Sequence, residues 1–260
     1  MRAHSTARIS SRSVLVAVVS DIHSNLHALE AALEAIDRDR PGAIWCVGDI
    51  VGYGPKPDEC CRIVEKRAGL CLAGNHDLGV RGDVDIDDFA PDAAAAALWT
   101  RGELGAEARA FLGPLVPSGE ADGVQLFHAS PRDPIWEYVL TDQAAAAALE
   151  ATSAPLVLVG HSHVPLAVTV DGGELSGGHA PAGTEIDLRT GAGDGTPRWL
   201  LNPGSIGQPR DGDPRAAYML LEGSGRASFR RVEYAIEETQ VEIRDAGLPA
   251  ALGERLSSGA

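Results

Sequence analysis

Residues 14–25 read VLVAVVSDIHSN, and this stretch indicates both the fold class and the place where chemistry is expected. The first six residues form a continuous apolar run rich in β-branched side chains, which is typical of a strand buried on both faces. Ser24 and Asn25 are favourable helix caps, and leucine and isoleucine recur at helical spacing after them. A buried strand followed by a helix predicts the first unit of an α/β sheet, with Asp21 and His23 at the carboxyl end of the strand.

Four later segments repeat this arrangement, in which an apolar strand ends in polar residues. They are VGDIVGYG at 47–54, AGNHD at 73–77, FHASP at 127–131 and GHSHVP at 160–165. In open α/β sheets, ligands bind outside the carboxyl ends of the strands. Imidazole, carboxylate and amide oxygen are all established metal ligands. The side chains that we expect at these strand ends are Asp21, His23, Asp49, Asn75, His76, His128, His161 and His163.

Each of these residues also has a purely structural interpretation. Asp49 could form an Asx-turn, and His128 could be a core histidine with a hydrogen-bond partner. However, five of the eight histidines fall at predicted strand ends beside two aspartates, and coincidence at every end is improbable. The pattern therefore favours a metal site. Glycines next to these residues suit a crowded site in which the backbone bends sharply; they are Gly48, Gly74 and Gly160.

Composition and charge limit the classes of function. The chain has 260 residues, of which 44% are hydrophobic and 23% are charged, as in an ordinary soluble globular protein. We predict one domain over residues 14–246, with flexible tails at 1–13 and 247–260. The formal net charge of -15 argues against nonspecific binding to polymeric nucleic acid or to an anionic membrane. A small phosphorylated substrate stays compatible with it, because a bound metal would supply local positive charge.

The four cysteines and the hydrophobic runs indicate a cytoplasmic protein. The cysteines, at 46, 60, 61 and 71, lack the spacing of a zinc finger and are interpreted as reduced structural thiols. The apolar run at 14–19 is short for the core of a signal peptide, and no small-residue cleavage site follows it. No apolar stretch approaches the roughly 20 residues that span a bilayer. The sequence leaves the oligomeric state open.

The second half of the chain predicts further strands and one irregular segment. Residues 171–196 contain eight glycines and little periodicity, which favours a loop or a hairpin with a long, mobile tip. Apolar runs at 199–201, 216–221 and 227–234 predict strands of a second sheet. Helices are expected at 57–67, within 91–113, after a Thr141 cap, and at 237–246.

The motifs resemble those of the calcineurin-like metallophosphoesterases. Asp-x-His, Gly-Asp, Gly-Asn-His-Asp, a lone histidine and Gly-His-x-His follow one another in that order over residues 21–163. Residues 202–218, NPGSIGQPRDGDPRAAY, resemble the closing part of a bacterial and archaeal phosphodiesterase-like branch. The resemblance implies an α/β (α+β) fold, a four-layer sandwich of two mixed β-sheets flanked by α-helices.

The resemblance also implies a ligand set for two divalent transition-metal ions. Asp49 would bridge the two ions, which suits a pair about 3.5–4 Å apart that needs a shared anionic ligand. The mixed donors favour manganese and also suit iron, zinc, nickel or cobalt. The implied ligands of the first ion are Asp21, His23 and His163, and those of the second are Asn75, His128 and His161.

By the same resemblance, the metals would lower the pKa of bound water and so provide a hydroxide nucleophile. His76 would be the catalytic residue that is not a ligand, and it would stabilise the transition state or protonate the leaving oxygen. Asp77 either orients His76 or caps the turn that follows, and the orienting role is favoured.

The sequence departs from the family at a position that bears on the substrate. The protein-phosphatase and dinucleoside-tetraphosphatase branches carry Gly-Asp-x-Val-Asp-Arg-Gly, whereas residues 48–54 read GDIVGYG and place Tyr53 where that arginine stands. A monoester dianion would lose a bidentate partner, so a phosphodiesterase is favoured. We expect Asn75, Arg132 and Arg210 to bind the small phosphorylated substrate, although either arginine could instead be a surface residue.

Two alternatives stay open at this point. One is a phosphomonoesterase or nucleotidase, which would use the same metal site on a different ester. The other is a non-catalytic scaffold of the same fold, against which the presence of His76 argues.

Overall fold

A computed structural model of the chain describes residues 15–191, 193 and 195–260. The flexible tail expected at 1–13 lies outside the described residues. Within them the chain forms twelve strands: β1 Leu15–Val19, β2 Ala43–Cys46, β3 Leu70–Cys71, β4 Ser118–Ala121, β5 Val124–Phe127, β6 Leu156–Leu158, β7 Leu166–Asp171, β8 Glu174–His179, β9 Glu185–Asp187, β10 Arg198–Asn202, β11 Ala216–Glu222 and β12 Arg226–Val232.

The same residues form eight α-helices, which are α1 Leu26–Asp39, α2 Pro57–Arg67, α3 Asn75–Arg81, α4 Pro91–Glu103, α5 Ala106–Leu112, α6 Asp142–Glu150, α7 Ile236–Asp245 and α8 Ala250–Glu254. The Asn25 side chain caps α1 and the Thr141 side chain caps α6, as their sequences predict. None of the described helices is long and apolar enough to span a membrane. The four cysteines are free thiols.

The strands form two mixed sheets of six, with the orders β3-β2-β1-β11-β12-β9 and β4-β5-β6-β10-β7-β8. The prediction that residues 216–221 and 227–234 belong to a second sheet is wrong. Strand β11 pairs antiparallel with β1, and β12 pairs with β11, so both extend the first sheet. Hydrophobic patterning marks a segment as a strand but does not identify its neighbour, which is set by long-range packing.

Side chains on alternate faces of β1 show how the layers stack. Ala17 and Val19 pack against α1 and α2, whereas Val16 and Val18 point to the opposite face. That face packs directly on the second sheet, whose far side is covered by α6. The layers therefore run helix, sheet, sheet, helix, which confirms the four-layer sandwich.

The glycine-rich segment expected to be a loop or a long-tipped hairpin begins with a hairpin, formed by β7 and β8 up to His179. Strands β7 and β8 pair antiparallel through a two-residue turn at Gly172 and Gly173, both of which have positive φ. The turn is tight, so the expected long tip is absent from this hairpin. The chain then crosses to the first sheet as β9, and the Gly193 amide donates to the carboxylate of Asp171.

Residues 247–260, for which a flexible tail is expected, contain the helix α8 at Ala250–Glu254. Helix α8 is followed by a 3-10 turn at Arg255–Ser257. Leu252 and Leu256 are buried against Ile243 and Tyr53. Leucine at 248, 252 and 256 has the spacing of one helical face, and it is the sequence signal for this segment.

Candidate metal centre

The predicted strand-end residues meet where β1, β2, β5 and β6 end, next to the start of α3. Because parallel strands present their carboxyl ends at the same edge of a sheet, residues distant in sequence become neighbours. All of them are between 0% and 3% exposed, and they are Asp21, His23, Asp49, Asn75, His76, His128, His161 and His163.

The first group of donors combines the loop after β1 with the second histidine of Gly-His-x-His. Donor atoms of Asp21, His23, Asp49 and His163 all lie within 4.8 Å of one another. The Nε2 atoms of His23 and His163 are 3.1 Å apart, and Nε2 of His163 lies 3.4 Å from Oδ1 of Asp21. Four donors of this kind, buried together, are the chemistry of a divalent-cation site.

The second group contains Asp49, His128 and His161, whose donor atoms also lie within 4.8 Å of one another. The Asn75 amide oxygen is 3.1 Å from Nε2 of His128 and adds a neutral oxygen donor. Nε2 of His161 is buried and has no hydrogen-bond partner in the described part of the chain. A buried polar atom without a partner is costly, so this nitrogen suits a ligand.

Asp49 is shared by the two groups. Its Oδ1 accepts a hydrogen bond from the His76 amide at 2.9 Å. Its Oδ2 lies 3.5 Å from Nε2 of both His23 and His128, and among the described residues it has no hydrogen-bond donor. A buried carboxylate oxygen left in this state is destabilising unless a cation neutralises it. The residues present therefore fit two divalent cations with Asp49 between them.

The backbone at this site is unusual. Of nine non-glycine residues with positive φ in the described chain, five are predicted ligands, so the strain is concentrated where the donors are. Hydrogen bonds between loops stabilise this conformation, including those from the amides of Asp21 and His23 to the carbonyls of Gly48 and Asp49. The five ligands, with φ between 51° and 61°, are Asp21, His23, Asp49, His161 and His163.

The left-handed turns separate the two histidines of Gly-His-x-His. His163 joins the first group of donors, and His161 joins the second. Gly160 is required for this approach, because a Cβ atom there would collide with the hydroxyl of Ser20. Gly74 is required for a similar reason, since its Cβ would collide with the carboxylate of Asp49.

Backbone carbonyls fix the tautomer of three of the predicted ligand histidines. A carbonyl can only accept, so a ring nitrogen that bonds to it must carry the hydrogen, and the other nitrogen is left free to bind a metal. The Nδ1 atoms donate in this way from His23 to Val51 at 3.2 Å, from His128 to Val47 at 2.9 Å and from His163 to Gln208 at 2.6 Å.

Burial sets the protonation of the donors. Desolvation and the charge of His128 act together to lower the pKa of His161 to about 2, and burial also lowers the pKa values of His23 and His163 well below normal. Desolvation has the opposite effect on carboxylates: it raises the pKa of Asp21 to about 7 and that of Asp49 well above its usual range. The rings of His23, His161 and His163 are therefore unprotonated and ready to bind a metal, whereas the two carboxylates need a cation to be charged.

His76 borders both donor groups. Its ring centroid is 4.9 Å from that of His23 and 4.3 Å from that of Tyr53. Its Nδ1 is buried without a hydrogen-bond partner among the residues described, and burial, then the charge of Arg210, lowers its pKa well below normal. The free ring is thus neutral, and it lines the cleft beside the donors.

Asp77 does not orient His76. Its carboxylate accepts hydrogen bonds from the amides of Gly74 at 2.8 Å, Ile50 at 3.0 Å and Val51 at 3.0 Å. These three donors occupy the carboxylate and link the loop after β2 to the start of α3. The favoured expectation of an orienting role therefore gives way to the alternative, a capping role.

The predicted substrate-binding residues fall in different places. A cleft of about 150 Å³ opens beside the donors, and Asn75, Tyr53 and Arg210 line it. Nη2 of Arg210 lies 3.2 Å from the Tyr53 hydroxyl. Arg132, in contrast, does not line the cleft: its side chain is 51% exposed and its Nε is 3.5 Å from Glu137. The turn that follows His128 directs it to the surface.

Sequence reasoning missed Arg255 and an aromatic part of the cleft. The guanidinium carbon of Arg255 lies 4.8 Å from the centre of the Tyr53 ring, and its Nε and Nη2 have no hydrogen-bond partner within the described ranges. Phe89, Trp136 and Tyr138 line the cleft from loops without periodicity. The only signals were the leucine spacing around Arg255 and two aromatics in a loop shortly after His128.

Comparisons with known proteins agree with the motifs. A family model described as the calcineurin-like phosphoesterase superfamily domain matches residues 14–225. The uncharacterized protein MJ0912 of Methanocaldococcus jannaschii is 39% identical over 251 residues, which cover 94% of this chain and 98% of that protein. A symmetrical bis(5′-nucleosyl)-tetraphosphatase of Psychromonas ingrahamii is 31% identical over 99 residues, 32% of this chain and 36% of that protein.

The fold agrees as well. The crystal structure of a metallophosphoesterase from Sphaerobacter thermophilus superimposes with a TM-score of 0.84 at 40% identity, over 96% of this chain and 100% of that chain. The resemblance inferred from the motifs is therefore confirmed. This chain belongs to the calcineurin-like phosphoesterase superfamily.

Proposed function

We propose that this protein is a metal-dependent phosphodiesterase that hydrolyses a small organic phosphate ester with two divalent transition-metal ions. The family acts on phosphate esters, and the buried donor cluster is consistent with metal-dependent hydrolysis. The observation that carries the proposal is Asp49, whose unpaired Oδ2 is equally distant from a histidine of each donor group.

The chemistry divides between the metals and the chain. When bound, the ions would supply Lewis acidity and make water a nucleophile near neutral pH. In the reaction, the water oxygen bonds to phosphorus, the ester P–O bond breaks and the leaving oxygen takes up a proton. Asp49 balances positive charge between the two groups, while Arg210 and Asn75 line the cleft where the phosphoryl oxygens would lie.

His76 stabilises the transition state or gives the leaving oxygen its proton. It lines the cleft, and its amide rather than its ring is bonded to Asp49, so the ring is free to act on substrate. The lowered pKa means that the ring starts neutral, and the negative charge of a bound phosphate would raise its pKa.

Manganese is the metal we favour, with iron, zinc, nickel and cobalt as alternatives. No cysteine belongs to the donor set, which consists of carboxylate, amide and imidazole groups. The cleft is smaller than the roughly 300–1,000 Å³ typical of drug-sized ligands, which supports a small substrate. The net charge of -15 disfavours polymeric nucleic acid, and the free thiols support a cytoplasmic location.

One observation favours a second candidate, a phosphomonoesterase. Tyr53 replaces the arginine of the protein-phosphatase and dinucleoside-tetraphosphatase branches, which favours a diester, but Arg210 brings a guanidinium to the hydroxyl of Tyr53. That cation could grip the dianion of a monoester. A non-catalytic scaffold is disfavoured because the donor set and His76 are both present.

The test is metal content and an ester comparison on the purified protein. Elemental analysis is expected to show two divalent ions per chain after manganese loading. Turnover of bis(nitrophenyl) phosphate should exceed that of nitrophenyl phosphate. The reverse ratio would establish the monoesterase, and bound metal with no turnover of either ester would favour the scaffold.

A further inference from the structure

Aromatic side chains form one side of the cleft, which the metal chemistry does not require. Phe89 lies in the loop before α4, and Trp136 and Tyr138 lie in the loop between β5 and α6. We call these three residues the aromatic wall. Phe89 comes from a loop that carries no donor residue, and Trp136 and Tyr138 lie further along the loop that begins with His128.

The wall continues directly from the catalytic residues. The Phe89 ring meets His76 edge to face, with centroids 5.0 Å apart at 78°, and Trp136 meets Phe89 at 5.1 Å and 75°. Tyr138 stacks on His161 at 4.1 Å and 25°. Any group that leaves the phosphorus near His76 is therefore released beside aromatic rings.

The loop that carries Trp136 and Tyr138 is held in place by its own hydrogen bonds. Oδ1 of Asp133 accepts from the amides of Ile135 at 3.0 Å and Trp136 at 3.1 Å. Glu137, between the two aromatics, is tied back by the hydroxyl of Ser130. The rings are thus positioned before any ligand binds, which lowers the entropic cost of binding.

The wall also remains accessible. Tyr138 is 47% exposed although it stacks on a buried histidine, and Phe89 and Trp136 are only partly buried. Aromatic rings that are rigid and open at the mouth of a cleft offer stacking surfaces to a planar group.

We propose that the aromatic wall is a subsite for a planar aromatic or heteroaromatic ring on the leaving group of the substrate. The substrate is then a phosphate ester of an aryl- or heteroaryl-bearing alcohol. This inference rests on the proposed phosphoesterase function. It assigns the substrate's organic part to the side of His76 and Phe89, and its phosphoryl oxygens to the donors and Arg210.

Trp136 gives the sharpest test, because in the described part of the chain its ring pairs with that of Phe89 and with no donor histidine. Trp136→Leu removes the aromatic face and keeps an apolar side chain. Trp136→Phe keeps an aromatic face. Leu140→Ala is the matched control, since Leu140 lies in the same loop, is 55% exposed and does not line the cleft.

The first readout is binding without turnover. Phenylphosphonate and propylphosphonate cannot be hydrolysed, and their affinities for the manganese-loaded protein can be compared by calorimetry. We expect the phenyl compound to bind about 10-fold more tightly, as stacking on an aromatic side chain allows. Trp136→Leu should bring the two affinities close to each other, whereas Trp136→Phe and Leu140→Ala should keep the preference.

The second readout is the ratio of kcat/KM for a phenyl and an alkyl ester whose leaving groups have matched acidity. Trp136→Leu should lower the preference for the phenyl ester, whereas Trp136→Phe and Leu140→Ala should keep it. Equal affinities of the two phosphonates for the native protein would overturn the subsite. An equal decrease in both affinities in Trp136→Leu would also overturn it. If the phenyl preference holds but no ester is hydrolysed, the proposed function fails while the subsite stands.

Discussion

The donor groups around Asp49 and the substrate-facing surface of the same cleft are held by different kinds of structure. The donors follow the ends of sheet strands, and backbone bonds between loops fix them in left-handed turns. Arg210 and the aromatic wall lie on loops. The first region is buried and, in the described part of the chain, leaves Oδ2 of Asp49 and Nε2 of His161 without partners, whereas the second region is partly open. We therefore expect substitutions among the donor residues to impair metal binding, and substitutions on the cleft loops to alter substrate preference while the metals stay bound.

Asp49→Asn should have the largest effect. The two groups would lose their shared negative charge, so two cations would repel each other without screening. We expect lower metal content by elemental analysis and almost no turnover. The metal-free fold should survive, because burial already raises the pKa of Asp49 and a neutral amide of the same shape suits the site.

The control for Asp49→Asn is Asp88→Asn, which removes an exposed carboxylate from the rim of the cleft. It should keep both metals. Two bound metals and full activity in Asp49→Asn would show that Asp49 does not bridge the donor groups.

His76→Ala should have the next largest effect and should separate metal binding from catalysis. If His76 is not a ligand, both metals stay bound. An alkyl ester, whose leaving oxygen needs a proton, should slow by about 10²–10⁴. A nitrophenyl ester should slow less, because its leaving group departs as an anion. The measurements are metal content and the rate loss on the two esters.

His27→Ala is the control, since His27 lies near Glu238 and Glu242, away from the cleft. Loss of a metal in His76→Ala would make His76 a ligand. An equal loss of rate on both esters, with the metals retained, would assign it charge stabilisation instead of proton donation.

Local structure was largely predictable from the sequence, but the pairing of distant strands was not. The helix expected at 57–67 is α2, and the caps at Asn25 and Thr141 act as predicted, because these features depend on neighbouring residues. One neighbour of β1 is β2, the next strand in the chain, but the other is β11, about 200 residues later. No pattern within β11 specifies that partner, because the choice depends on how the two sheets pack.

The donor residues were predictable because the geometry of parallel strands brings their carboxyl ends together. The substrate-facing residues were not, because a loop directs its side chains by contacts specific to it. Arg132 is four residues from His128, yet its guanidinium pairs with Glu137 at the surface. Arg255 reaches Tyr53 from a segment that was expected to be flexible.

Arg210→Ala and Arg132→Ala test which of the two predicted substrate-binding arginines acts in the cleft. Removal of a charge-assisted hydrogen bond costs about 1.5–3 kcal/mol, so Arg210→Ala should lower kcat/KM by about 10- to 100-fold. The loss should be greater on a monoester, which carries more charge. Arg132→Ala should have no effect, because the side chain lies outside the cleft. Equal losses in the two variants would place Arg132 in the site after all.

Competition between protons and metal ions for the donor residues should give the smallest effect. In the metal-free protein, burial raises the pKa of Asp21 to about 7, so Asp21 carries a proton below that pH and a metal must displace it. His23, His161 and His163 do not compete in this range, because burial lowers their pKa values. Manganese affinity should therefore fall by about tenfold for each pH unit below 7 per proton displaced.

The same shift predicts how the stability of the fold depends on pH. A carboxyl group whose pKa is higher in the folded than in the unfolded chain stabilises the fold at low pH, and this contribution is lost as pH rises through the folded value. For Asp21 that window extends from its ordinary value of 3.8 to about 7. The metal-free protein should lose this contribution as pH rises, while the affinity of the protein for manganese increases.

The gap in Tm between protein with manganese and protein with EDTA should accordingly widen from about pH 6 to about pH 8. Calorimetry in two buffers of different ionisation enthalpy should detect proton release on manganese binding at the lower pH and less at the higher. A gap that stays constant or narrows would mean that Asp21 is already ionised without metal, and that the donor groups are less deeply desolvated than their burial implies.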